Sequence, residues 1–301
     1  MTNRPIIKNR KTPQRQFHYI GRLTDSRHWD RFEYRTDDVF ICTPPKCGTT
    51  WTQAICANLI FGTTDFDGKL TDISPWFDSK IDSLDNYLAR LEAQKHRRFI
   101  KTHTPLDGMP YYESSQYLII YRNPIDAYFS IRNHMLNMLD PPDIPQLAND
   151  PREGFYAWVD APFEEGVGEQ RSLEAFIHHY SSYKNYQDLE NFNFFHFSDM
   201  KRDIRSTVQR FANILGIELS QRRNLDICEA VNFSEMKKKA SSYAPASGKP
   251  IFKSDEAFFN SGKNSQWRGI LKNEELKHYS FRINELLSSK DVDWIENGSG
   301  L

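Results

Sequence analysis

The sequence lacks a long apolar run, a dense set of cysteines and an excess of charge of either sign. No run approaches the roughly 20 apolar residues that a membrane-spanning helix needs. Residues 4–15 are basic and polar, without the apolar core of a secretory leader. Lys plus Arg total 39 against 40 Asp plus Glu, so the net charge of -1 gives no general attraction to nucleic acid or an anionic membrane. We therefore expect a cytoplasmic protein that binds neither.

Cysteine is scarce, with Cys42, Cys47, Cys56 and Cys228 as the whole set in 301 residues. This is too few for a disulfide framework in a chain of this length. The first three are close in sequence, but no nearby His completes a zinc-like spacing. The cysteines are predicted to be buried free thiols, and no metal is expected.

Short apolar runs alternate with longer segments of helical pattern. Four runs have the composition of buried strands: residues 38–42, 98–101, 117–121 and 194–197. Helices are predicted over residues 49–61, from residue 124 onward, from 198 or 199 to about 215, and over 274–287. The alternation predicts an α/β fold, a single domain over residues 1–301 with a central parallel β-sheet flanked by helices.

The most informative segment is residues 43–51, Thr-Pro-Pro-Lys-Cys-Gly-Thr-Thr-Trp, which follows a predicted strand and opens a predicted helix. Backbone N–H groups at a helix start and the positive end of its dipole form a cradle for anions. Lys46 adds a cation, Thr49 and Thr50 add hydroxyls, and Gly48 lets a ligand approach the backbone closely. The segment predicts a P-loop-like site for a phosphate-like group.

This loop differs from the P-loop that binds nucleoside triphosphates. There the lysine follows the last glycine and a Ser or Thr comes next to hold magnesium. Here Lys46 precedes Gly48 and is followed by Cys47. A metal-bound triphosphate is therefore not indicated, although an ATP-dependent small-molecule or nucleotide kinase stays an alternative.

Residues 43–51 closely resemble the 5′-phosphosulfate loop of the cytosolic sulfotransferase family, T-Y-P-K-S-G-T-T-W, with departures at the diproline and at Cys47. The resemblance implies that 3′-phosphoadenosine 5′-phosphosulfate (PAPS) is the donor and 3′-phosphoadenosine 5′-phosphate (PAP) the product. It also implies that Lys46 stabilises the leaving phosphate. The residues implied to bind the donor here are Lys46, Cys47, Gly48, Thr49, Thr50 and Trp51.

Residues 98–106 resemble the family's K-T-H-x-P segment. The match assigns His103 as the general base for the acceptor hydroxyl and Lys101 as a stabiliser of the transferring group. Neutral imidazole, with an ordinary pKa of about 6.5, can take a proton near neutrality. Without the flanking match, a histidine at a strand end is usually a surface or hydrogen-bonded residue.

Residues 121–130 resemble the family's 3′-phosphate segment, R-N-x-x-D-x-x-x-S. The resemblance implies that Arg122 grips the phosphate with its planar fork and that Ser130 adds a hydroxyl. The alternative is a salt bridge between Arg122 and Asp126 at a helix start.

The resemblance weakens near the C-terminus. Residues 258–268 align with the family's R-K-G-x-x-G-D-W-K segment, but Asn260 and Ser261 replace the basic pair. Gly262 is retained, and Lys263 is a candidate for the displaced charge. These changes predict weaker or rearranged nucleotide binding, and a non-catalytic PAP- or PAPS-binding protein stays an alternative.

Three further residues are implied on the adenine side of the nucleotide. Phe197 stands where the family usually has a tyrosine, in a segment that resembles Y-E-D-M-K. Phe233 and Met236 lie in a segment that resembles T-S-F-x-x-M, and core packing is an equal alternative for both.

The acceptor is predicted to be a small apolar or aromatic molecule with a hydroxyl group. The candidate binding residues are Trp76, Phe77, Phe155, Tyr156 and Trp158. The alternative is that these aromatics pack the irregular segment that contains most of them.

Three segments lack clear periodicity. Residues 1–35 are expected to be an N-terminal arm, residues 141–170 a lid on the acceptor side, and residues 241–266 a loop that covers the nucleotide, since long irregular stretches in compact domains are usually functional. The family's dimer-forming run is not recognisable after Trp267, so the oligomeric state stays open.

Overall fold

The computed structural model describes residues 12–66, 68–243, 252–254, 258–259 and 262–299. Its sheet contains the strands β1 (Val39–Cys42), β2 (Phe99–Thr102), β3 (Gln116–Tyr121) and β4 (Phe192–His196). They lie in the order β2-β1-β3-β4, and each neighbouring pair is parallel. The observed strands overlap the four predicted runs, which confirms the α/β prediction.

Both faces of the sheet are covered, as β1 shows. Its residues are completely buried, and they alternate between two apolar cores. Phe40 and Cys42 pack into one core, whereas Val39 and Ile41 pack into the other. This alternation follows from the two-residue period of a strand. A strand buried on both sides reads as one continuous apolar run, which is why it was recognisable in the sequence.

Helices surround the sheet. In the described residues they are α1 (Thr49–Phe61), α2 (Leu70–Ile73), α3 (Leu84–Ala93), α4 (Pro124–Leu136), α5 (Pro151–Asp160), α6 (Leu173–Lys184), α7 (Phe197–Arg202), α8 (Ile204–Ile214), α9 (Gln221–Ala230), α10 (Phe233–Lys238), α11 (Ala240–Tyr243), α12 (Asn273–Leu286) and α13 (Ser289–Asn297).

Two sequence expectations about helices were wrong. Residues 141–170 are not irregular throughout, because Asp150 caps α5 and Pro151 opens it. The helix predicted from residue 198 or 199 to about 215 is two helices, since Asp203 ends α7 and its carboxylate accepts a hydrogen bond from Ser206 N–H to cap α8. The sequence analysis also missed α13.

The strand order places a crevice at one edge of the sheet. The chain leaves β1 through α1 toward β2 on one side, whereas it leaves β3 through α4 toward the other side. Connections that diverge in this way leave an opening at the carboxyl ends of the strands, where ligands bind in open α/β sheets. The loop of residues 43–48 and Arg122 both lie at this opening.

Candidate active site

A cavity of about 1120 Å³ opens at the carboxyl ends of β1, β2 and β3. It brings together most of the residues singled out in the sequence. Those on its wall are Lys46, Gly48, Thr49, Thr50, Trp51, Trp76, Lys101, His103, Arg122, Ser130, Trp158, Phe197, Phe233, Met236 and Gly262.

The anion loop turns sharply through two residues with left-handed backbone. Lys46 has φ 67° and Gly48 has φ 103°. A Cβ atom on Gly48 would also lie 3.0 Å from Cδ2 of Phe197, so glycine is required there for conformation and for space. Behind the loop, the hydroxyls of Thr43 and Thr49 are hydrogen-bonded at 2.6 Å and tie β1 to the first turn of α1. The turn places the N-terminus of α1 at the cavity.

Lys46 points into a crowded cationic environment. Burial, followed by the nearby charges of Arg122 and Lys101, lowers the pKa of Lys46 to about 7. Its Nζ lies 3.2 Å from Nδ1 of His134 and 5.0 Å from the centroid of the Phe258 ring. An anion in the cavity would stabilise the ammonium form, which makes the site selective for negative groups.

His103 is fixed in one tautomer by its backbone contact. Its Nδ1 lies 2.7 Å from the carbonyl oxygen of Thr43. Because a carbonyl oxygen only accepts, Nδ1 carries the proton and Nε2 of the neutral ring holds a free lone pair. Burial, followed by the charge of Lys101, lowers the pKa of His103 to about 3. The ring is therefore neutral near pH 7 and can accept a proton at Nε2.

Lys101 and Trp76 lie on either side of this histidine. The Lys101 ammonium is 5.0 Å from the centroid of the Trp76 ring, and the Trp76 ring meets His103 edge-on at 5.0 Å. Burial lowers the pKa of Lys101 to about 8. Two lysines and one histidine thus line the same cavity.

A buried carboxylate that the sequence analysis missed supports the end of β2. Asp78 accepts hydrogen bonds from Thr102 Oγ1, Thr104 Oγ1 and Trp29 Nε1. The two threonines flank His103, so Asp78 fixes the backbone that carries the histidine. No motif pointed to Asp78, because its partners come from two segments distant from it in sequence.

Arg122 lies beside the anion loop, and its Nη1 donates to the carbonyl oxygen of Lys46 at 3.4 Å. Its Nη2 donates to the carbonyl oxygen of Lys263 at 2.8 Å, and its guanidinium lies 4.6 Å from the centroid of the Phe197 ring. The Nε atom is buried without a hydrogen-bond partner among the described residues. Asp126 does not form the salt bridge that was the alternative, because its carboxylate accepts from the Ser265 N–H at 2.6 Å.

The wall beside Arg122 is aromatic. Trp51 and Phe197 meet edge-on with centroids 5.4 Å apart. Phe233 lies over Gly262, where any Cβ would come within 2.5 Å of its ring. Met236 is buried, whereas the Phe233 side chain is 38% exposed. This arrangement suits a flat ring system.

Several predicted site residues lie elsewhere. Phe77 and Phe155 are completely buried in the core, where Phe77 packs 4.8 Å from Trp29 and Phe155 packs 5.4 Å from Tyr128. Tyr156 packs against His278 outside the cavity wall. The prediction that these three line an acceptor pocket was wrong, because their helix and loop turn the rings toward the core or another helix.

Two of the predicted donor-binding residues have side chains off the cavity wall, Cys47 and Lys263. The Cys47 thiol is buried in the core, and burial raises its pKa to about 12. The Lys263 side chain is exposed and off the cavity wall, while its carbonyl oxygen holds Arg122. Asn260 and Ser261 lie outside the described residues.

The cavity wall also carries polar residues that the sequence analysis did not assign: His134, Arg171, His179 and Lys201. Two of these residues could have been identified from their spacing in the sequence. His134 follows Ser130 by four residues on α4, and Lys201 follows Phe197 by four on α7, which places each pair on one helix face. Lys201 donates to the carbonyl oxygen of Gly262 at 2.8 Å.

The fold and the cavity define a group-transfer enzyme with a P-loop-like anion site. The chain belongs to the sulfotransferase family, because residues 36–290 match the family model for the sulfotransferase domain. It is 31% identical to a glycolipid sulfotransferase of Mycobacterium bovis over 93% of this chain and 94% of that protein. It is also 25% identical to sulfotransferase 6B1 of Mus musculus, over 88% of this chain and 81% of that protein.

Solved structures show the same fold. Mouse sulfotransferase SULT7A1 in complex with PAP has a TM-score of 0.68 at 19% identity and covers 89% of this chain and 90% of its own. Retinol dehydratase in complex with androsterone and PAP has a TM-score of 0.67 at 19% identity, over 87% of this chain and 84% of its own. Family membership favours sulfotransfer over the kinase and the non-catalytic alternatives.

Two other expectations can be compared with the structure. Cys42, Cys47 and Cys56 are buried free thiols, as predicted, and Cys228 is half-buried. None of the helices in the described part of the chain has the length and apolar character to cross a membrane.

Proposed function

We propose that this enzyme transfers the sulfuryl group of PAPS to an acceptor hydroxyl and releases PAP. The acceptor oxygen bonds to sulfur as the bond between sulfur and the phosphate oxygen breaks. The acceptor proton goes to Nε2 of His103, and the ammonium of Lys46 neutralises the charge left on the phosphate. Lys101 supports the oxygens of the sulfuryl group in transit.

The observation that carries this proposal is that one free imidazole lone pair and two half-buried lysine ammonium groups line the same cavity. His103 presents Nε2 because Thr43 holds Nδ1. Lys46 and Lys101 have pKa values lowered mainly by burial, to about 7 and about 8. Positioning and fixed positive charge are what an in-line group transfer requires.

The residues present fit a nucleotide with two anionic ends. The N-terminus of α1 and Lys46 support one end. Arg122 supports the other end, and its Nε atom is buried and has no hydrogen-bond partner among the described residues. Ser130 lines the cavity as well. The edge-to-face pair of Trp51 and Phe197 supports an adenine site at this side of the cavity.

The low pKa of His103 has burial as its first cause. Its causes after burial are the positive charges of Lys101 and Lys46. A negative donor placed against these lysines offsets them and raises the pKa of the ring. His103 then gains proton affinity when the donor is in place.

The acceptor half of the cavity supports a molecule with a large apolar body. Its wall includes Trp158, Phe163 and Phe176. Two apolar residues on its wall are also exposed, Ile81 at 37% and Val167 at 38%. We propose an apolar alcohol that extends beyond the cavity, a class that includes the glycolipids named for the mycobacterial relatives.

Two variable segments are proposed to cover the substrates. Val167 and neighbouring residues of the 141–170 segment line the acceptor half, and Ile20 forms a parallel bridge with Val167, which joins this segment to the N-terminal arm. Phe258 and Phe259, in the 241–266 segment, line the cavity near Lys46. We propose the first as the acceptor lid and the second as the donor lid.

The test is incubation with sulfur-labelled PAPS and a panel of phenols, sterols and long-chain alcohols. We expect labelled product from the wild type and a rate lower by roughly 10²–10⁴-fold from His103→Ala, the range that a positioned base contributes. PAP binding should persist in that variant. His18→Ala removes an exposed histidine off the cavity wall and serves as the matched control. Undiminished turnover by His103→Ala would refute the assignment of the base.

A further inference from the structure

One cation on the acceptor wall has no role in the chemistry described above. Arg171 lies between the proposed acceptor lid and α6, is half-buried and lines the cavity. Within the described residues its guanidinium forms no hydrogen bond and no ion pair. The neighbouring carboxylate, Glu169, is already engaged, because its Oε1 accepts from Leu23 N–H and Thr24 Oγ1, each at 2.7 Å.

The position is unfavourable for an unpaired positive charge. Arg171 directly precedes Ser172, the N-cap of α6, so it lies near the positive end of a helix dipole. Burial lowers the pKa of Arg171 and outweighs the opposing effect of the Glu169 charge, so the charged form is poorly solvated there. Its charge also contributes to the lowered pKa values of His103 and His134. A guanidinium so close to other cations is stabilised when an anion joins it.

The donor does not supply that anion in the arrangement proposed above. The donor's two anionic ends are assigned to the N-terminus of α1 with Lys46 and to Arg122. The acceptor half of the cavity wall, which includes Arg171, also carries Phe163, Phe176 and His179. It combines apolar rings with this imidazole and with the carboxylate of Glu169, whose charge acts on Arg171.

We propose that Arg171 binds a carboxylate or phosphate group carried by the acceptor, so that the enzyme selects acidic apolar alcohols over neutral ones. This inference rests on the proposed function of the cavity. The planar fork of arginine matches either oxyanion through two parallel hydrogen bonds. The apolar rings beside it hold the hydrocarbon body, and the acceptor hydroxyl reaches Nε2 of His103.

The test uses binding to the complex of enzyme with PAP, so that it does not depend on turnover. Hydroxy fatty acids of several chain lengths are titrated calorimetrically beside their methyl esters and beside the monophosphates of the matching diols. We expect the best-fitting acid or monophosphate to bind about 10- to 100-fold more tightly than its neutral ester, as a charge-assisted pair would produce. Whichever series binds more tightly, the carboxylates or the monophosphates, identifies the oxyanion.

Variants assign the effect to this side chain. Arg171→Gln should bring the ratio of acid to ester affinity close to one, and Arg171→Lys should retain part of it. Arg222→Gln, at a side chain that is 89% exposed, is the matched control and should keep the full ratio. Acids that bind no better than esters at every chain length, or a ratio that survives Arg171→Gln, would overturn the inference. Failure of PAP itself to bind would instead refute the proposed function.

Discussion

The Lys46 ammonium lies 3.2 Å from Nδ1 of His134, a contact that joins the anion loop to α4. Because an ammonium only donates, the imidazole nitrogen accepts, and the ring is held neutral with its pKa well below the usual range by burial and the charge of Lys46. His134 thus favours the charged form of Lys46 while fixing its direction. It is a positioning residue for the proposed leaving-group cation.

We predict that His134→Phe lowers kcat about tenfold, since a charge-assisted hydrogen bond is worth roughly 1.5–3 kcal/mol. Losing the acceptor also disfavours the ammonium, so PAP affinity should begin to fall at a lower pH than in the wild type. His134→Gln, whose amide oxygen can accept, should restore much of both properties. The measurements are steady-state rates and PAP titrations between pH 6 and 9. A pH dependence identical in the wild type and His134→Phe would contradict this role.

Binding of PAP should take up protons near neutral pH. Lys46 and Lys101 have pKa values of about 7 and about 8, because burial disfavours their charged forms. A bound anion favours the charged forms and raises both pKa values. PAP affinity should therefore be highest below pH 7 and weaken as the pH rises through the range 7 to 8. Calorimetry at pH 7.5 in buffers of different ionisation enthalpy measures the uptake directly.

Lys46→Met should remove most of the proton uptake at this pH, because Lys46 has the more strongly lowered pKa of the two lysines. Lys277→Met, at an exposed position off the cavity wall, provides the matched control and should leave uptake unchanged. The absence of proton uptake on binding in the wild type would show that the lysines are already fully charged without a ligand.

Gly48→Ala separates backbone strain from steric exclusion at the anion loop. The left-handed φ of 103° at Gly48 costs roughly 1–2 kcal/mol for a residue with a Cβ. The new methyl would also press on Phe197 at 3.0 Å. Gly216→Ala is the matched variant, because Gly216 has φ 63° and nothing lies within 4 Å of its added Cβ.

We expect both alanine variants to lose about 1 kcal/mol of unfolding free energy, measured by urea denaturation, from strain alone. Gly48→Ala should additionally weaken PAP binding at least about tenfold, because the loop and the aromatic wall must shift apart. Equal PAP affinity in the two variants would argue against an anion site at this loop.

The sheet and the anion loop were predictable because each has a local signal. Strands buried on both faces are continuous apolar runs, and the segment from Thr43 to Trp51 lies wholly between one strand and one helix. The helix α5 was missed for an equally local reason, since the same Asp and Pro that suggest a loop also form its cap and first turn. Composition alone cannot distinguish a loop from the start of a helix at these residues.

The rest of the cavity wall was only partly predictable from the sequence, since Trp76 and Trp158 line it but other predicted aromatics do not. His134 and Lys201 could have been found by stepping one helical turn from Ser130 and Phe197. Arg171 and Asp78 carried no such signal, because their significance depends on which distant segments surround them. Phe77 and Phe155 were assigned to the acceptor side for their aromatic character, but the choice between core and cavity depends on the direction in which each ring points.

His179 should make the fold sensitive to acid. The imidazole is 3% exposed, its Nδ1 lies 2.8 Å from the Tyr121 hydroxyl, and burial holds its pKa well below the usual range. Below about pH 6.5, His179 therefore binds a proton in the unfolded chain but not in the folded chain. The stability present above that pH is lost progressively as the pH falls, by up to about 1.4 kcal/mol per pH unit for this one group.

Urea denaturation of the wild type and His179→Gln between pH 7.5 and 5 tests this, and the glutamine variant should have the shallower dependence on pH even if its stability is lower throughout. Parallel curves for the two proteins would mean that the buried imidazole does not couple folding to protonation.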